Sequence, residues 1–102
     1  MSIGAILSTS VQGMQAQSTR LAASASNIAN VDTPAYAPLR TDLSAMAPSG
    51  VSAQVSASSG DVEETGDMLG MIEAREGFEA NASVFETGAS MWDMLMAINR
   101  KS

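Results

Sequence analysis

Carboxylates are the only reactive side chains this sequence carries in quantity, and nine of its eleven Asp and Glu residues lie at or beyond Asp61. Two chemistries use clustered carboxylates. Asp61, Glu63, Glu64 and Asp67 are close enough to suggest calcium, but the EF-hand spacing and its central Gly are absent. Two acids can also hydrolyse a glycan such as peptidoglycan, yet that needs a cleft holding them at fixed separation, and nothing in the pattern builds one. The chain has no Cys and no His. That excludes a thiol nucleophile, an imidazole base, disulfides, and zinc or haem sites built on those ligands. Asn81-Ala82-Ser83 spells a glycosylation sequon inside a helical stretch and carries no weight. The sequence thus offers no catalytic residue, no cofactor site and no metal site. Its acids, Glu73 among them, read as a solvated helix face.

With no reaction to serve, the elements are judged by what they pack against. At 102 residues the chain reads as a single domain, residues 1–102, with little room for a private core. The apolar fraction is 45 %, drawn largely from Ala and eight Met, with two Phe, one Trp and one Tyr. Side chains so small or flexible fill a core loosely but suit helix faces that approach other helices closely. The expectation is a chain marginal by itself that orders on assembly. A net charge of −6 without a basic stripe argues against nucleic acid. The first residues lack the basic region and apolar run of a Sec signal peptide, and no window reaches the roughly 18 apolar residues of a membrane span.

Residues 3–31 hold a helical pattern with Ser2 as N-cap. Leu7, Val11, Met14, Leu21 and Ile28 fall on one heptad-like stripe, and the other face is uncharged Ser, Gln, Thr and Asn. Such a face is either disordered alone or destined for a crowded interface, since solvated helices carry more charge. Pro34 removes a donor and steers Thr33 away from helix, which stops the run near Val31. Residues 32–60 form a Pro-, Ser- and Gly-rich connector. Within it, the alternation of Val51, Ala53, Val55 and Ala57 gives a weak strand signal, with a short hairpin to Tyr36–Leu43 left open. A second helix is expected over residues 61–100, with Asp61 and Glu64 at capping-box spacing and Arg100 and Lys101 at the favourable end of the dipole. Phe78, Phe85, Trp92 and Met96 lie on one stripe and Val84, Gly88, Met91, Leu95 and Ile98 on a second. The aromatic stripe is expected to form the seam with the first helix rather than a ligand box. Gly70, Gly77 and Gly88 each cost about 1 kcal/mol in a helix. They are either tolerated or sites of close helix approach. The fold class is therefore all-α: two long antiparallel helices, a helical hairpin or coiled coil, joined by an irregular connector with room for a short β-hairpin.

Two motifs bracket the connector. The first is Asn27-Ile28-Ala29-Asn30-Val31-Asp32-Thr33-Pro34-Ala35-Tyr36, with Gly13-Met14 and Leu21 upstream. The second is Met71-Ile72-Glu73-Ala74, then Phe78-Glu79-Ala80-Asn81, then Val84, Thr87, Met91 and Leu95. Together they resemble the two terminal signatures of the flagellar basal-body rod, hook and axial protein family, over about 70 residues. The short middle is most similar to the small proximal-rod members (the FlgB and FlgC type). The pattern's usual Gly before the aromatic is Ala35 here, its usual basic residue after it is Ala37, and the Arg of the second motif is displaced to Arg75.

The resemblance implies a structural subunit of the basal-body rod, no enzyme, exported through the flagellar type III apparatus and assembled where the basal body crosses the periplasm. Its implied partners are other rod subunits and further copies of itself. The residues expected to carry assembly are Leu7, Val11, Met14, Leu21 and Ile28 with Phe78, Phe85, Trp92 and Met96. Asn27, Asn30, Thr33 and Tyr36 form the turn motif, and Met71, Ile72 and Asn81 belong to the second signature. The same composition admits another reading, a helical-hairpin adaptor or chaperone-like protein that takes a partner helix on its Met-rich face.

Overall fold

A computed structural model describes residues 2–101. The elements run α1 (Ile3–Ala29), β1 (Leu39–Ala45), β2 (Val51–Ala57) and α2 (Glu64–Lys101). α1 starts where the sequence places it, because the Ser2 hydroxyl oxygen accepts a hydrogen bond from the Ala5 N–H at 3.1 Å. It ends two residues early. The Asn30 N–H bonds to the Ser26 and Asn27 carbonyls, and its side-chain amide donates to the Ser26 carbonyl at 2.8 Å, closing the last turn before Val31. α2 begins at Glu64, so Asp61 lies outside the helix rather than capping it. Glu64 and Asp67 in the first turn and Arg100 and Lys101 in the last still complement the dipole.

The connector contains an antiparallel hairpin in which Leu39 pairs with Ala57 and Ala45 with Val51. The second strand has the bounds the alternation suggests. The first starts at Leu39 rather than Tyr36, because the Tyr36 hydroxyl is bonded to Asn27 and Ser26 in the turn. Pro38, buried just ahead of β1, anchors the base: its carbonyl accepts from both the Ser58 N–H at 2.8 Å and the Ser58 hydroxyl at 2.9 Å. The hairpin then folds back along α1, where the Thr9 and Ser49 hydroxyls share a hydrogen bond of 3.3 Å.

The two helices pack side by side and antiparallel, but not through the expected aromatic stripe. Their buried line is Ser10, Gly13, Ala16, Ala23, Ser24 and Asn27 on α1 against Gly70, Ala74 and Gly88 on α2. Gly77 and Asn81 continue that line, with Gln17 against Gly77, Asn81 against Gly13 and Leu7 against Gly88. Small residues win the seam because they let two helix backbones approach, and the larger stripe is turned aside. Phe78, Trp92 and Met96 are 42 %, 50 % and 43 % exposed, and Phe85 is half-buried. Gly77 and Gly88 thus mark close approach, and Gly70 lies in ordinary contact with Ser24. The body measures 66 × 24 × 14 Å.

Candidate assembly surfaces and the turn that frames them

At one end of the body, the first motif folds into a hydrogen-bonded turn centred on Asn27, which is 2 % exposed. The Asn27 side-chain amide donates to the Leu39 carbonyl at 2.9 Å and to an Asp67 carboxylate oxygen at 3.2 Å. Its oxygen accepts from the Leu39 N–H at 2.7 Å and from the Tyr36 hydroxyl at 3.0 Å. All four hydrogen-bonding positions of this side chain are used, which is what permits its burial. One residue therefore ties α1, the turn, β1 and α2 together. Asn30 and Thr33 extend the network outward, the Thr33 hydroxyl donating to the Asn30 side-chain oxygen at 3.1 Å. Ala35 has φ +61°, a left-handed conformation that suits Gly and strains Ala.

The other end carries the apolar surface. Gly88 lies against Leu7 and Ile6, and Ile3 and Met91 border one groove, so α1 begins opposite Met91. The last ten residues of α2, 92–101, run on past the start of α1 for about 15 Å. Trp92, Met94, Leu95, Met96 and Ile98 on this projection are 43–65 % exposed. Along the paired part of α2, Met68, Leu69 and Ile72 are each more than half exposed, and Met71 is half-buried.

The anticipated packing residues therefore separate. Leu7 reaches the seam, and Leu21 and Phe78 border one groove beside it. Met14 and Ile28 are half-buried, and Val11 is 36 % exposed. Trp92 and Met96 stand on the projection, away from α1. Glu73 is not a free acid: it meets Arg20, the one charged residue of α1, at 2.6 Å across the seam. Asn81 turns its side chain into the seam and donates to the Gly77 carbonyl at 2.8 Å.

Sequence reasoning missed what covers the uncharged face of α1. The β-hairpin lies on it, with Gln12, Gln15 and Thr19 bordering Met46, Val51 and Ala53. The signal was the absence of charge itself, which indicated a covered face but not its cover. Among the described residues no helix is long and apolar enough to cross a membrane.

Comparison with curated proteins finds no match. Residues 7–36 match the family model described as flagella basal body rod protein. That segment runs from Leu7, at the apolar end of the seam, through the Asn27 network to Tyr36, and it is consistent with a rod-family protein, a structural component of the bacterial flagellum's basal body.

Proposed function

We propose that this chain is a subunit of the flagellar rod, of the small proximal type, that joins copies of itself and other rod subunits through helix-to-helix contacts. The assembled shaft transmits torque along its axis. One observation carries the reading. With α1, α2 and the hairpin already packed, sixteen large apolar residues among the described ones remain at least 36 % exposed, most of them on α2. A monomer rarely leaves so much apolar helix surface in water, so further helices supply its cover. The body is extended, and copies of it joined head to tail would grow along an axis. Export through the flagellar type III apparatus and location across the periplasm belong to the same reading.

The experiment is a two-fraction assay of Val11→Asp. Val11 is exposed enough in the single chain for the variant to fold, whereas an assembled interface there would bury an unpaired carboxylate at a cost of several kcal/mol. The expected result is normal secreted protein and none in purified basal bodies. Wild-type incorporation would remove Val11 from the assembly interface and the reading would lose its mechanical basis.

The exposed methionines Met68, Met91, Met94 and Met96 favour one rival, an adaptor that receives a partner helix on an adaptable face. Size measurement separates the two. A discrete dimer or one-to-one complex supports the adaptor, and open-ended polymers support the rod.

A further inference from the structure

We propose that Asn81, seated on Gly13, sets the register between α1 and α2 and so fixes how far the apolar end of α2 projects beyond α1. A seam of Gly and Ala is smooth. It permits close approach but offers few features to stop one helix sliding along the other. Besides the Arg20–Glu73 ion pair and the Asn27–Asp67 hydrogen bond, the features that resist sliding are the places where a longer side chain enters a glycine gap.

Asn81 makes the tightest of these contacts across the seam. A Cβ at position 13 would stand 2.5–2.7 Å from Oδ1, Cγ and Nδ2 of Asn81, inside the distance real Cβ atoms keep. The Asn81 amide is not a loose end that could swing away, because its Nδ2 is bonded to the Gly77 carbonyl at 2.8 Å. Gly77 in turn receives Gln17 from α1, whose Cδ would lie 2.8 Å from a Cβ there. The gaps therefore alternate between helices: α2 enters α1 at Gly13, and α1 enters α2 at Gly77. Motion of α2 in either direction drives one of these side chains into an ordinary residue. Register has a geometric consequence, because sliding by one turn, about 5.4 Å, changes the roughly 15 Å projection by a third. Only that consequence for assembly rests on the rod reading.

The test uses the purified full chain, so its outcome does not depend on whether rods form. The sequence has no Cys, and an introduced pair can be read cleanly by oxidation. Ser24→Cys with Gly70→Cys reports the observed register, since a Cβ at position 70 would lie 3.4 Å from the Ser24 hydroxyl oxygen. Ser24→Cys with Gly66→Cys reports a register shifted by one turn. In the otherwise unaltered chain the first pair should crosslink at least fivefold more than the second. Asn81→Ala, which removes the tightest of these stops without adding bulk and leaves Gln17 in the Gly77 gap, should reduce that preference at least twofold. Gly13→Ala should also reduce it, and Gly13→Ala combined with Asn81→Gly should restore part of it, because the added methyl group then finds room. A preference unchanged in Asn81→Ala would overturn the proposal, as would an unaltered chain showing no preference for the first pair. A fall in melting temperature with the preference intact would make Asn81 a stabilising residue only, and would overturn it equally.

Discussion

Asn27 pairs with Leu39 as a strand would, giving a hydrogen bond to its carbonyl and taking one from its N–H. Replacing it with Ala strands those two groups and leaves the Tyr36 hydroxyl with Ser26 alone. Asn27→Ala should therefore cost about 2–4 kcal/mol, read as a shift in the urea midpoint. Ala35 offers a change of opposite sign. Its φ of +61° is a conformation in which any side chain is strained by about 1–2 kcal/mol, partly offset by the lower backbone entropy of an unfolded Ala. Ala35→Gly should raise stability by about 0.5–1 kcal/mol, and a melting temperature equal to or below the parent's would show that the turn relaxes. The turn residues are legible in the sequence, because Asn, Thr, Pro and Tyr at that spacing end a helix by known chemistry. Asn81 is legible only as a motif letter. Nothing in its type says that it enters a gap on the other helix, at Gly13.

At the scale of elements, hydrophobic periodicity identifies both helices and misidentifies the seam between them. Periodicity shows which residues share a face but not which neighbour covers it. The wide stripe of Phe78, Trp92 and Met96 faces largely outward, while the seam is drawn by Gly70, Ala74, Gly77 and Gly88, whose lack of bulk is silent on any hydropathy scale. The hairpin is half legible. Val51–Ala57 shows its alternation, but the return path over α1 depends on contacts such as Thr9 with Ser49 that no local pattern encodes. A consequence can be measured. Trp92→Ala should change the stability of the single chain by less than about 1 kcal/mol, since Trp92 is half exposed there. If α2 is covered in the rod, the same variant should lose about 3–5 kcal/mol of assembled stability. Equal losses in dilute chain and in assemblies would mean that Trp92 is already covered before assembly.

The whole molecule is extended for its size. A compact chain of 10.5 kDa exposes about 5,400 Å² and one of this length has a radius of gyration of about 13 Å; here the values are 6866 Å² and 17.9 Å. Among the described residues no large side chain is fully buried, and the buried apolar residues are Ala16, Ala23 and Ala74. Stability should therefore depend on neighbours, with helicity by circular dichroism rising with protein concentration. Full helicity with a sharp melt at the lowest micromolar concentrations would contradict this. The thinness of the apolar interior has a thermodynamic side: among the described residues the buried apolar ones are alanines, so little apolar surface is newly hydrated when the chain unfolds. Its heat-capacity increment should fall below the usual 12–15 cal/mol/K per residue or so, and its denaturant slope should be shallow. The free chain would then change gradually with temperature and solvent, and an all-or-none response would belong to the shaft rather than to its parts.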